Sequence, residues 1–453
     1  MTSVVRRPRG PFLISQMVRD RLGGSLILQN LAWNYAGLIW LNMLSVISVS
    51  LYVRILGAHQ WGLIAACVSL QIVFNVLDMG FSQIAPKWFV INSGDGPRPD
   101  QFFFLFRKIY FFLAIVGFLV LQLSARPLAT KWFNVSQVDQ PVFEAAIRLI
   151  ALQFVFQFLN SLNNSVWSGQ QKQRLMNLRT CTFMTIRHFV ALAILFFLYR
   201  DVRVYCAVFM VVSGLEWSTN YRRVRPLFTR PDLMTDATLV RQVAREMSVL
   251  IAGVLIGTAV AQMDRLTLSR ALPVQQFGAY TLALTLALAL LQLQMPITRS
   301  FFPRIVRDIQ ATGKVMSRTW YGLCGFTVVF VGGPALILAV VAHPLMLLWI
   351  GSATIADTAA PVLRILCVGV FLNSIYNCLY QYLLASGRSS LILRFNIISL
   401  LGVGLLIFFW KQPLTPSFGG AIWITVGLLQ VCCGVIWYYA YTRTMRSKKE
   451  KPC

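Results

Sequence analysis

Few side chains in this sequence can do chemistry, and most of those sit inside apolar stretches. A charge at the centre of a bilayer costs about 2.5 to 3.5 kcal/mol on insertion scales. It persists where it faces a bundle interior or a wet cavity. Arg187, followed by His188, lies near the middle of its apolar run and reads as a lumen-facing cation. Its alternative is a side chain that snorkels to the surface. Arg148 follows Glu144 by four positions, a spacing that suits a helix-stabilising pair as well as a substrate contact. Arg364 lies a few residues inside its helix and could reach outward. Asp78 is a rare intramembrane acid, with a cap or backbone tie near Gly80 as the plainer account. Asp264 stands beside Arg265 and reads as a local pair, and Glu216 closes a helix next to a basic loop. Asn34 shares a face with Asn30 and Asn42, as Gln157 does with Gln153. Such amides suit hydroxyl-rich ligands and equally suit interhelical hydrogen bonds. Cations outnumber acids within these helices, and a cavity of that sign would attract an anionic substrate.

The elements that carry these residues are membrane helices. Of 453 residues, 57% are hydrophobic and 12% charged, half the charge of a soluble domain. Apolar runs of about 20 residues match the hydrocarbon thickness. Twelve helices are predicted, at 25–49, 61–86, 103–124, 142–165, 178–199, 203–220, 240–263, 277–300, 318–342, 360–385, 391–410 and 418–441. The fold class is all-α and polytopic, with about 12 transmembrane helices in two pseudo-symmetric six-helix lobes. A basic segment (1–24) precedes the first lobe (25–220), a basic linker (221–239) leads to the second lobe (240–441), and a basic tail (442–453) follows.

The net charge of +26 does not indicate nucleic acid, because the basic residues lie between the apolar runs. With the amino end in the cytoplasm, 30 of the 41 Lys and Arg fall on the cytoplasmic side and eight opposite. That is the positive-inside pattern, and it places both termini in the cytoplasm. The loops are short and hold no catalytic domain. The three histidines are too scattered for a metal site, and the nine cysteines, with no CxxC spacing, read as small buried hydrophobes. Trp61, Trp88, Trp132, Trp167, Trp349 and Trp410 lie at predicted helix ends and read as interfacial anchors.

The lobes repeat. Arg54, Leu56, Gln60, Trp61 and Gly62 align without a gap on Arg270, Leu272, Gln276, Phe277 and Gly278, and Ser168-Gly169 echoes Ser386-Gly387. Internal duplication is common among transporters whose halves rock about a shared site. Arg54 and Arg270 would then form a symmetric cationic rim.

Three stretches carry a family resemblance: R-x-L-G-x-x-x-W-G at Arg54–Gly62, LDMGFSQ at Leu77–Gln83, and MDRLTLSRALPVQQFGAY at Met263–Tyr280. The chain resembles the polysaccharide transporter family, the Wzx-type O-antigen flippases, within the multidrug, oligosaccharidyl-lipid and polysaccharide exporters. The resemblance implies a twelve-helix, two-lobed bundle of a bacterial inner membrane that opens alternately to each side. The cargo implied is a polyprenyl-pyrophosphate-linked (undecaprenyl) oligosaccharide repeat unit for O-antigen, capsule or exopolysaccharide. The pathway's polymerase and chain-length regulator are further partners. Cationic cavity residues are expected to meet the pyrophosphate. No cofactor is implied, and no acid for proton or sodium coupling is identifiable. Pro273 departs from the pattern where the first copy has Gly57. The rival readings are a drug or small-metabolite exporter of the same fold, which would need an acidic cavity, and a polytopic pathway enzyme. The enzyme would need a catalytic cluster or a large periplasmic loop.

Overall fold

The computed structural model describes residues 12–89, 99–170, 172–229, 256–312 and 317–449. The chain is helical and, among these residues, forms no sheet. A helical run over Phe12–Trp88 breaks at Gly57, whose φ of 80° and ψ of 170° are open essentially to glycine alone. We call its arms α1 (12–56) and α2 (58–88). The first lobe continues with α3 (Pro99–Pro127, extended by a π turn at Leu128–Trp132), α4 (Gln140–Gly169), α5 (Gln173–Phe197) and α6 (Val202–Val224). The second lobe holds α7 (256–271) and α8 (Val274–Thr312). Next come α9 (317–340, with a π turn at Val328–Gly332), α10 (Ala342–Ile350) and α11 (Ala353–Ala385). It ends with α12 (Ser389–Phe409) and α13 (Ser417–Lys449).

The predicted boundaries shift where sequence gives no stop. α1 runs through the predicted loop at 50–56, since only Gly57 interrupts it. α11 begins at Ala353 rather than 360, and the short α10 fills what was read as an outer loop. The predicted linker 221–239 and the start of the seventh helix lie partly outside the described residues, at 230–255.

Nine helical segments among the described residues are long and apolar enough to cross a membrane. Their outward faces are apolar: Phe112, Leu123, Phe189, Leu336, Leu401 and Phe408 are exposed, as a lipid-facing surface requires. Within the first lobe α4 packs on α3 and α6, and within the second α11 packs on α8 and α13. One apolar core joins the lobes, running from Tyr52 and Leu63 to Phe277, Tyr280, Ile350 and Leu363.

Candidate functional site: an interlobe seam and two buried polar centres

The repeated motif marks the line where the lobes meet. Gly62, near the start of α2, lies against Gly278, near the start of α8. A Cβ on Gly278 would come within 3.0 Å of Gly62 Cα, and one on Gly62 would fall on the carbonyl oxygen of Val274. Small residues let backbones approach this closely between membrane helices. Trp61 and Phe277, the residues just before these glycines, are both buried there.

The rest of the seam is built twice, once from each side. Arg54 Nη2 donates to the carbonyls of Leu348 (3.0 Å) and Trp349 (3.2 Å) on α10. Trp349 Nε1 donates to Val46 O at 2.9 Å, and the Ser50 hydroxyl donates to Trp349 O. In the mirrored arrangement, the Arg270 guanidinium lies 5.6 Å from the Trp132 ring centroid, and Trp132 Nε1 donates to Ser269 Oγ at 3.3 Å. Asn134 bridges to Pro273 alongside. Trp132 and Trp349 stand 217 positions apart, the spacing of the repeat. They pin the seam, a role their helix-end positions alone did not show, and this shared offset was the signal that could have shown it. Among the described residues, neither Arg54 nor Arg270 has a carboxylate within ion-pair distance.

Each lobe also encloses a polar centre. In the first, Arg187 on α5 is 4% exposed and its Nη2 bonds Glu216 Oε2 on α6 at 3.0 Å. Phe209 faces the guanidinium, and Met184 Sδ accepts from Nη1. Glu216 Oε1 accepts from Asn160 on α4, while Asn220 joins Asn160, Asn164 and the Trp167 indole. Arg187 is therefore not the unpaired cation its sequence position suggested: the acid one helix away neutralises it. His188 faces Tyr52 instead, with Nδ1 3.1 Å from the phenol oxygen.

The second centre surrounds Asp264 on α7, which is 1% exposed. Its expected partner Arg265 turns to Gln262. Asp264 Oδ2 accepts from the Tyr280 hydroxyl and from Trp423 Nε1 at 2.9 Å, and Oδ1 has no partner. The residue lines a cavity of about 200 Å³ with Asn373, Asn396 and Gln430. Those amides bond one another, Asn373 to Gln430 and Gln430 to Asn396. Asp264 therefore brings a carboxylate with one unpartnered oxygen to an amide-lined cavity. Sequence reading missed it because its neighbour in sequence offered a simpler partner.

The remaining sequence candidates are dispersed. Arg148 is exposed and bonds Glu144 Oε1 at 2.8 Å and Gln122 Oε1 at 3.2 Å. Arg364 is exposed, with Nε donating to Ala339 O at 3.3 Å. Asn34 accepts from Asn177 at 2.6 Å and Gln157 from Gln71 at 2.5 Å, both as ties between helices. The side chain of Asp78 lies outside the described residues.

A family described as "Polysaccharide biosynthesis protein" matches residues 27–308, which include both copies of the arginine-to-glycine motif (Arg54–Gly62 and Arg270–Gly278), Arg187 and Asp264. The chain belongs to this family. No curated protein matches the sequence. Among solved structures, the chain is similar to a lipid II flippase MurJ in an inward closed conformation, with TM-score 0.69 and 12% identity over 89% of this chain and 87% of that one. It is also similar to an inward-facing multidrug resistance MATE family transporter of the MOP superfamily, with TM-score 0.71 and 12% identity over 91% and 96%. A third is the MATE multidrug transporter DinF-BH in complex with R6G, with TM-score 0.66 and 12% identity over 92% and 95%. This family member therefore shares the fold of those three structures.

Proposed function

We propose that the protein moves polyprenyl-pyrophosphate-linked oligosaccharides between the leaflets of a bacterial inner membrane by alternating access. The duplicated seam carries this reading. Two lobes pinned at one end by equivalent contacts are built to part there and close elsewhere. By the positive-inside count the pinned end faces the periplasm. Parting it would release the guanidiniums of Arg54 and Arg270 from carbonyls and an indole ring, presenting two uncompensated cations at the exit. A pyrophosphate gains charge-assisted hydrogen bonds from such groups, so the cargo itself favours the open seam. The polyprenyl tail stays in lipid.

Asp264 supplies a coupling group, a buried acid that can exchange a proton or monovalent cation as its lobe rearranges. The same acid favours a second reading, cation-coupled export of a drug or metabolite, which the arginine-edged seam opposes. Proteoliposomes separate the two. The flippase reading expects transbilayer movement of a fluorescent undecaprenyl-pyrophosphate oligosaccharide, and no accumulation of a cationic dye. Dye transport without lipid movement, by folded protein, would replace it with the exporter.

A further inference from the structure

A second cavity lies away from the seam, between α3, α4 and α6 of the first lobe, beside the first polar centre. It encloses about 370 Å³ and is edged by Arg107 and Lys108 on α3, Asn163 on α4, and Trp217 and Tyr221 on α6. We propose that this groove binds the phosphate headgroup of an anionic phospholipid.

The cations stand where a headgroup would. Arg107 lies eight residues inside α3, about 12 Å along its axis, at the end where α6 finishes and α4 turns. In the orientation proposed above, this is the inner-leaflet interface. Arg107 Nη1 is held by the Tyr221 hydroxyl at 2.9 Å, and its guanidinium lies 5.4 Å from the Phe104 ring centroid. The Phe104 ring is also faced by Arg225 at 5.0 Å. Lys108 is exposed, and no ion pair among the described residues engages Arg107, Lys108 or Arg225. Two described acids on α3 and α6 are already engaged. Asp100 accepts from Thr229, and Glu216 turns inward to Arg187.

The groove also contains a donor without an acceptor. Asn163 is 2% exposed and its Nδ2 has no partner. A buried N–H left unmade is unfavourable, and a phosphate or glycerol oxygen reaching it would supply the missing acceptor. The walls favour a lipid over a free ion. Trp217 is fixed in a stack between Phe156 and Tyr221, with centroids 5.8 and 5.9 Å away. Leu159, Leu162 and the exposed Phe111 continue the surface as an apolar track for acyl chains. Basic pockets between membrane helices at the cytoplasmic face take phospholipid headgroups by this combination of charge and apolar wall.

Native mass spectrometry of the purified protein with added phosphatidylglycerol or phosphatidylcholine tests the site. Arg107→Ala/Lys108→Ala and the surface variant Lys108→Glu remove or reverse its charge. Arg304→Ala/Arg307→Ala, both exposed on α8 of the other lobe, removes equal charge elsewhere. The wild type should retain one phosphatidylglycerol at least about fivefold more strongly than phosphatidylcholine, roughly 1 kcal/mol by the affinity relation. Both groove variants should lose that lipid, the control should keep it, and millimolar inorganic phosphate should not displace it. Equal retention of the two lipids, loss in the control as large as in the groove variants, or displacement by phosphate would each overturn the proposal.

Discussion

Arg187 and Glu216 form a buried ion pair whose energetics decide what either residue can do alone. Removing one partner leaves an uncompensated charge in a dry interior, a loss of about 3 to 5 kcal/mol, whereas replacing both with apolar side chains of similar volume is close to neutral. Arg187→Ala and Glu216→Ala should therefore each lower the melting temperature in detergent, and Arg187→Met/Glu216→Leu should restore most of it. A double variant as unstable as the singles would show that the pair does more than neutralise itself. Asp264 makes a different prediction, because its free Oδ1 is the feature that matters. Asp264→Asn keeps an acceptor for Tyr280 and Trp423. It should fold with nearly wild-type stability while losing the stimulation of transport by an imposed proton or sodium gradient. Retained gradient response would remove Asp264 from coupling. At this scale the sequence was half legible. The depth of Arg187 was readable, but its partner lies on another helix and 29 positions away, a separation at which residue spacing along one helix carries no information. Asp264 was misread for the converse reason, since adjacency in sequence puts two side chains on different faces of a helix.

The seam shows how few positions an element needs to define a joint. Gly57 permits the break between α1 and α2, and Gly62 and Gly278 permit the close crossing of α2 and α8. A methyl at Gly62 has no space, so Gly62→Ala should destabilise the protein by about 1 to 3 kcal/mol, as overpacking does. A thermal unfolding series would measure it, and an unchanged melting temperature would mean the helices do not cross as described. The tryptophan pins give an accessibility prediction. Ser50 is buried beneath Trp349. In a background without the native cysteines, Ser50→Cys should react slowly with a membrane-impermeant maleimide, and several-fold faster when Trp349→Ala is added. Equal rates would mean the pin does not hold the seam. The helices themselves were largely legible, because apolar run length is a strong signal in a membrane. Their ends were less so. α10 and the first turns of α11 read as loop because the segment is short and follows an apolar helix without a polar break.

At the scale of the whole molecule, the repeat was the most informative feature of the sequence. Two landmarks separated by 216 positions, Arg54 and Arg270, become equivalent points of contact between lobes, and the family match covers both. The physical reason is that a pseudo-symmetric joint needs the same shapes on both sides, so the constraint appears twice in the chain. The polar centres lack that symmetry: one holds a neutralised pair and the other a lone acid with amides. No repeat could reveal them. In the function proposed above, the paired arginines, freed as the seam parts, draw a lipid pyrophosphate through it. That role is tested by the rate at which proteoliposomes move a fluorescent undecaprenyl-pyrophosphate oligosaccharide, comparing wild type with Arg54→Gln, Arg270→Gln and the double variant. Movement by wild type, intermediate rates for the single variants, and a fall on the order of tenfold for the double are expected. Such a fall corresponds to about 1.4 kcal/mol of lost barrier stabilisation. A double variant that transports at the wild-type rate would contradict the role of the arginines, and a folded wild type that moves no lipid-linked sugar would contradict the function itself.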